Sequence, residues 1–264
     1  MATALRPLST GELVDHAFSL YRRHFAMFLA IFALPHLVVF AFQCWGLGIT
    51  TPGRTIFFTL ETMLLSVVVS AASQAATVIA VSQVHLDRPA GVMDSFSRVK
   101  GEIFGVIGLS IAVGLLVGLA CIALIVPGIL LAIRWSLAVP VKVLEGTDVG
   151  GAMSRSSQLT RGSRGRIFII WILFIVVSFG LSFLLRWPIE VAAGVKSVGA
   201  LQHAAVGYRV AALVTMFISQ CLVGPLATIA FSLLYYDERV RKEAFDLQLM
   251  MQTLDAPALQ GAPA

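Results

Sequence analysis

Charged residues are scarce in this sequence of 264 residues. They make up 12% of the chain, against about 25% in soluble domains, whereas hydrophobic residues make up 58%. A water-soluble chain of this size could not cover its surface with so few charges. The surplus apolar surface must therefore face lipid, which excludes an ordinary soluble domain. Because the basic residues behind the net charge of +5 flank apolar segments, we expect them to meet anionic lipid headgroups rather than nucleic acid.

Cysteines and catalytic motifs are also scarce. The three cysteines, Cys44, Cys121 and Cys221, form no CxxC pair, and their odd number supports neither a disulfide framework nor a zinc site. The sequence contains no GxxxxGK[ST], HExxH or GxSxG motif and no paired intramembrane carboxylates. We therefore expect no catalytic residue, metal or cofactor, and a membrane-embedded lipid enzyme is the least supported alternative.

Long apolar runs are what the sequence has in abundance. A spanning helix needs roughly 20 apolar residues, and six stretches approach or meet this length. The predicted spans are residues 25–45, 56–84, 103–126, 129–144, 167–185 and 208–236, with a turn at Pro127–Gly128 and kinks at Pro35, Pro140 and Gly224–Pro225. The predicted fold is an all-α integral membrane protein, a bundle of six transmembrane helices.

Lysine and arginine are distributed unequally between the two sets of loops. Fourteen of the 19 lie on the side of both termini, and four lie on the opposite side. The excess of positive charge in cytoplasmic loops predicts that both termini are cytoplasmic.

Amphipathic segments flank the predicted transmembrane domain, residues 25–236. Residues 1–24 are expected to lie on the membrane as a helix, with Ser9 and Glu12 at capping-box spacing. Residues 237–254 are expected to form a second surface helix, with an apolar stripe on one face, and residues 255–264 a flexible tail. Two further amphipathic pieces are expected in the connectors, residues 92–100 and within 145–166.

Three intramembrane polar features are candidates for function. Glu61 and Arg134 lie at similar predicted depth with opposite charge, so we expect an ion pair, which serves as a structural clamp or as part of a polar site. His36 follows Pro35 near the middle of the membrane and is a proton relay or a packing residue. A stripe of small polar residues on the second span favours close helix packing over the alternative that it lines a path through the protein. It comprises Thr62, Ser66, Ser70, Ser73 and Thr77.

Two sets of residues are predicted to contact helices or lipids. The glycines at GxxxG spacing in or near the third span predict close helix packing; they are Gly101, Gly105, Gly114 and Gly118. The arginines beside the spans predict contacts with lipid headgroups; they are Arg22, Arg23, Arg161, Arg164 and Arg166.

Three stretches together resemble one family of bacterial membrane proteins. They are Pro7-Leu-Ser-Thr-Gly-Glu-Leu13 with Leu20-Tyr-Arg-Arg23; Pro127-Gly-Ile129 with Arg134-Trp-Ser-Leu-Ala-Val-Pro140 and Val143-Leu-Glu-Gly146; and Leu234-Tyr-Tyr-Asp-Glu-Arg-Val-Arg-Lys-Glu-Ala-Phe-Asp246. This pattern resembles the glycerophosphoryl diester phosphodiesterase membrane-domain family over most of the chain. The resemblance implies a polytopic protein of the bacterial inner membrane. The family name comes from members fused to a catalytic domain, whose His and acidic metal-binding motifs this sequence lacks, so the enzymatic activity is not implied.

Two functions remain open from the sequence. The first is a non-enzymatic protein that organises lipids or scaffolds an envelope complex, as a homo-oligomer or with other subunits. The second is a small-molecule or lipid transporter that uses a polar site around Glu61 and Arg134. A continuous polar cavity that reaches Glu61 favours transport, whereas a closed bundle favours scaffolding.

Overall fold

The computed structural model describes residues 8–49, 51–86, 88–192 and 206–255, without the side chains of residue 52 and of residues 244–255. The predicted tail lies outside these residues except for Asp255, and so does most of the predicted loop between the fifth and sixth spans. The regular secondary structure of the described residues is helical, and short turns and extended residues join the helices. Its α-helices are α1 (Thr10–Arg23), α2 (Phe25–Trp45), α3 (Pro52–His85), α4 (Val92–Val99), α5 (Ile103–Ala123), α6 (Ile125–Arg134), α7 (Ala138–Glu145), α8 (Val149–Leu159), α9 (Arg164–Ala192) and α10 (Val206–Asp255).

Six helical segments are long and apolar enough to cross a membrane, as the sequence predicts. They are Phe25–Gly48, Gly53–His85, Ile103–Ala123, Ile125–Glu145, Arg164–Ala192 and Val206–Glu243. The fourth consists of two helices, α6 and α7. The outward surfaces of these segments expose large apolar side chains such as Ile122 and Phe183, which suits contact with lipid tails.

The sixth span and the predicted surface helix form one continuous helix, α10, which runs through Pro225 to Asp255. No break in the helix marks the predicted boundary at residue 237. α10 packs against α1, α2, α3 and α9, and its buried face contributes Leu226, Ile229, Leu233 and Leu234 to the core. Because this face continues beyond the apolar run, it also carries polar residues into the protein interior.

The predicted turn between the third and fourth spans is displaced. The chain turns at Leu124, whose backbone is extended, and α6 begins at Ile125 and contains Pro127 in its first turn. A proline is tolerated there because the first amides of a helix have no intrahelical acceptor. A side chain on Gly128 would collide with Cys121, at 2.1 Å from its Sγ, so this glycine allows α5 and α6 to pack closely.

The fourth span is interrupted at residues 135–137, before Pro140. The interruption leaves carbonyl groups at the end of α6 without intrahelical donors. Side chains of α8 and of Thr160, which directly follows it, supply donors: the carbonyl of Arg134 accepts hydrogen bonds from the hydroxyls of Ser156 (2.9 Å) and Thr160 (3.3 Å). Ser156 and Thr160 are therefore buried against the end of α6, which they cap.

Helix α1 begins with the predicted capping box. The Ser9 hydroxyl accepts from the amide of Glu12 at 3.3 Å, and the Glu12 carboxylate accepts from the amide of Ser9 at 2.8 Å. Leu13, Ala17 and Tyr21 are buried, so the apolar face of α1 contacts the rest of the protein. We call the end of the bundle that carries α1 the α1 end.

Candidate functional site

A cavity of about 570 Å³ lies between α2, α3 and α10, away from the α1 end. Each helix presents one face to it, at a spacing of three or four residues. The polar lining residues are His36 and Gln43 from α2, Thr55, Thr59, Thr62, Ser66 and Ser70 from α3, and Arg209 and Gln220 from α10. The apolar lining residues include Val39, Phe40, Phe58, Leu213, Met216 and Phe217. A polar strip from α3 therefore faces a largely apolar wall.

The hydroxyl groups along α3 are oriented by their own helix. Thr55, Thr59 and Thr62 donate to the carbonyls four residues earlier, at 3.0, 2.8 and 2.8 Å, and Ser66 donates to the carbonyl of Met63 at 2.7 Å. Each hydroxyl proton is thus used within the helix, while the oxygen retains acceptor capacity. The strip consequently offers hydrogen-bond acceptors to a molecule in the cavity.

His36 lies at the inner end of this cavity and is only 6% exposed. Its Nδ1 lies 2.8 Å from the carbonyl oxygen of Phe32, and its ring stacks on the ring of Phe32 at 5.5 Å. Because a carbonyl only accepts, Nδ1 carries a proton, and in the neutral ring Nε2 is then the acceptor. Nε2 faces the hydroxyl of Ser70 at 3.5 Å, so that the basic nitrogen of the ring is directed to the cavity side.

A second cavity of about 230 Å³ continues toward the α1 end. Ser70 and Gln220 line both cavities, and Ser136, Pro140 and Phe231 are among the residues that line the second alone. The second cavity therefore reaches α7, in the middle of the bundle. The predicted stripe on the second span divides accordingly: Thr62, Ser66 and Ser70 line the larger cavity, while Ser73 and Thr77 are buried among packed helices.

The predicted ion pair between Glu61 and Arg134 is not formed. Nε of Arg134 donates to the hydroxyl of Ser157 at 2.6 Å, beside α8. Glu61 is exposed and lines a smaller cavity of about 300 Å³ with Trp45 and Arg54. The prediction matched the two residues by depth and opposite charge, and it counted the depth of Arg134 from a turn that the structure places at Leu124.

The four predicted packing glycines have different surroundings. A side chain on Gly105 would meet the side chain of Lys142, at 2.6 Å from its Cε, so this glycine makes room for a buried lysine that pairs with Glu102 at 2.5 Å. At Gly101, Gly114 and Gly118, a Cβ atom would have no neighbouring side chain or packed helix within 4 Å. Within this chain these three glycines do not support close helix packing.

Buried charges gather at the α1 end, at residues that the sequence assigned to the membrane surface. Asp237 and Glu238 are 6% and 0% exposed. The guanidinium group of Arg166 pairs with both carboxylates, at 3.4 Å from Glu238, and Arg241 pairs with Asp237 at 2.8 Å. Arg166 is therefore an internal ion-pair residue, contrary to its predicted contact with lipid headgroups.

The same cluster holds the beginning of the described chain. The amide of Leu8 donates to Asp237 at 2.7 Å, and its carbonyl accepts from Arg166 at 2.9 Å and from Arg241. The hydroxyl of Ser163 donates to Glu238 at 2.6 Å. We call Leu8, Ser163, Arg166, Asp237, Glu238 and Arg241 the ionic cluster; it ties α1, α9 and α10 together.

A second group of ion pairs joins α7, α8 and α10. The carboxylate of Glu145 accepts from the hydroxyl of Tyr235 at 2.8 Å and pairs with Arg155 at 3.3 Å. Arg155 also pairs with Glu243, which pairs with Arg239 at 2.6 Å. The last pair lies within α10 at i,i+4 spacing, at which oppositely charged side chains meet on one face of a helix. Arg22, Arg23, Arg161 and Arg164 remain exposed, and their contact with headgroups stays a prediction.

A comparison with models of protein families tests the resemblance that the sequence motifs indicated. The model described as the membrane domain of glycerophosphoryl diester phosphodiesterase matches residues 103–254, more than half of the chain. The chain belongs to this family. No curated protein and no solved structure matches it. With the six candidate spans, family membership makes this a multi-pass membrane protein.

The matched region of this membrane-domain family member begins at α5. It contains both groups of ion pairs except for Leu8, as well as the contact between Arg134 and α8. The cavity, by contrast, is shared between α10 inside the matched region and α2 and α3 outside it. The family model therefore matches nearly all the residues that form the two groups of ion pairs, but only one of the three helices that surround the cavity.

Proposed function

We propose that this protein binds an amphipathic membrane molecule in the cavity between α2, α3 and α10, and that it acts as a lipid or small-molecule transporter and not as an enzyme. The observation that carries the proposal is the cavity itself. Its volume of about 570 Å³ falls in the range of ligand sites, roughly 300–1,000 Å³.

The chemistry of the lining supports an amphipathic ligand. Apolar side chains such as Phe217 and Leu213 suit an acyl chain or another apolar body. The hydroxyl oxygens of α3 suit a ligand that has its own hydrogen-bond donors. A purely apolar occupant would leave His36 Nε2 and the amide groups of Gln43 and Gln220 without ligand partners.

The second cavity supports passage as well as binding. Ser70 and Gln220 stand between the two cavities, so that movement of these side chains would join the two volumes. Broken helices near the centre of a membrane domain are characteristic of transporter sites, and the interruption between α6 and α7 borders the second cavity through Ser136. The ligand would then move along α3 and α10.

The sequence left open a scaffold and a transporter, and the observed cavity supports the transporter. A closed bundle favours scaffolding, and this bundle is not closed. The cavity passes His36 instead of Glu61, which lines the neighbouring smaller cavity. A homo-oligomer, partner subunits, the bacterial inner membrane and cytoplasmic termini stay predictions.

Filling the cavity is expected to abolish ligand retention. The change Ser66→Phe places a ring in the middle of the lining, whereas Val68→Phe, two residues later on the same helix, adds it to an outward-facing position. Both proteins are purified in mild detergent, and their bound lipids are quantified by mass spectrometry. We expect the retained amphiphile to fall toward zero in Ser66→Phe and to remain at the wild-type level in Val68→Phe. Equal retention in the two folded variants contradicts the proposal.

A further inference from the structure

The mouth of the cavity carries a fixed positive charge. Among the described residues that line the cavity, Arg209 is the only charged one. Its Nη1 donates to the carbonyl of Leu47 at 3.0 Å, which holds the guanidinium group at the turn between α2 and α3. Among the ion pairs formed by described residues, none involves Arg209. An arginine placed in this way keeps further N–H donors for a ligand.

Polarity changes along the cavity from Arg209 inward. Arg209 and Leu213 lie one turn apart on α10, and Phe217 follows one turn deeper, so the wall becomes apolar immediately beyond the charge. On α2, Gln43 lies beside Leu47 and adds amide donors at the same end, while Val39 and Phe40 lie deeper. Donors therefore gather at the mouth, and apolar surface fills the middle.

We propose that the ligand of this cavity is an anionic amphiphile, whose phosphate or carboxylate binds the guanidinium group of Arg209 while its apolar tail lies between α2, α3 and α10. The proposal rests on the proposed function and specifies its ligand class. A cationic headgroup at this place would meet the positive charge of Arg209 with no acidic side chain in the described lining. An anion gains charge-assisted hydrogen bonds there. Hydroxyl groups on such a headgroup would find acceptors in Thr55 and Thr59.

The test compares two phospholipids that have identical acyl chains, one with an anionic and one with a zwitterionic headgroup. Purified full-length protein is titrated in detergent with phosphatidylglycerol or phosphatidylcholine of identical short acyl chains, and bound lipid is counted by native mass spectrometry. Arg209→Gln removes the charge. Arg54→Gln is the matched control, because Arg54 is exposed on α3 and lines the neighbouring smaller cavity. We expect wild type and Arg54→Gln to prefer phosphatidylglycerol by about 10-fold or more, and Arg209→Gln to lose this preference.

The other outcomes contradict the anionic headgroup, the proposed function or both. Equal binding of the two lipids, with binding still lost in Ser66→Phe, refutes the anionic headgroup and leaves the proposed function intact. Binding that survives in Ser66→Phe refutes both. Glycerol 3-phosphate serves as the headgroup without a tail, and we expect it not to displace phosphatidylglycerol at equal concentration. Displacement by this soluble phosphate refutes the amphiphile and identifies a free phosphate site.

Discussion

Replacing Arg166 with methionine is expected to destabilise the protein by about 3–5 kcal/mol, because it leaves buried carboxylates without their cation. Asp237 retains its ion pair with Arg241 at 2.8 Å, whereas Glu238, which is fully buried, loses its ion pair with Arg166 and retains the hydrogen bond from the hydroxyl of Ser163. The free energy of unfolding in mixed micelles measures the effect.

Arg164→Met is the matched control for this change. Arg164 begins the same helix, α9, and is exposed. Loss of an exposed positive charge is expected to change the free energy of unfolding by less than about 1 kcal/mol. Equal losses in the two variants would show that the ionic cluster does not stabilise the fold. A double variant, Arg166→Met with Glu238→Gln, is expected to recover part of the loss, since a buried ion pair is often replaced at little cost.

Replacing Glu145 with leucine is expected to cost about 1.5–3 kcal/mol. The change removes the acceptor of the Tyr235 hydroxyl, which belongs to a fully buried side chain, and one of the two carboxylates that pair with Arg155. α7 and α8 should then separate from α10 before the rest of the bundle unfolds. Hydrogen exchange at the amides of α7 and α8 measures this local opening.

The control for Glu145 is another glutamate in an ion pair. Glu190 pairs with Arg186 one turn earlier on α9 at 3.4 Å, and both side chains are more than a third exposed. Glu190→Leu is expected to leave exchange in α7 and α8 unchanged, because an exposed pair contributes little. Faster exchange throughout the protein in Glu145→Leu would indicate global destabilisation and would reject a local role for this carboxylate.

The six spans and the capping box were predictable because each depends on residues that are neighbours in the sequence. An apolar run of sufficient length identifies a span without knowledge of its partners. Ser9 and Glu12 form a capping box through contacts three residues apart. The pair between Arg239 and Glu243 is predictable for the same reason.

The ionic cluster was missed because charged residues after an apolar run were assigned to a membrane surface. A usable signal lies in the helical spacing. Leu233 and Leu234 are on the buried face of α10, and Asp237 and Glu238 follow them by four residues, on the same face. Extending the apolar stripe of a span into the charged segment would have placed both carboxylates inside. It would not have identified Arg166 as their partner, because that contact joins residues 71 and 72 positions apart.

The prediction that Glu61 and Arg134 form an ion pair was wrong for a different reason. Depth in a membrane gives one coordinate of a side chain, whereas a contact also requires that two helices present facing sides. The cavity was the less favoured interpretation of the sequence. The stripe that contains Thr62, Ser66 and Ser70 was assigned to helix packing in preference to a path, because which helices surround it depends on the packing of α2 and α10 against α3.

The most direct test of the central claim is a structure of the full-length protein determined in lipid nanodiscs that contain anionic lipid. We expect an elongated ligand density between α2, α3 and α10, with its polar end at Arg209 and its apolar end beside Phe217 and Met216. A cavity that contains only ordered water, or one closed by side chains from α3 and α10, would contradict it.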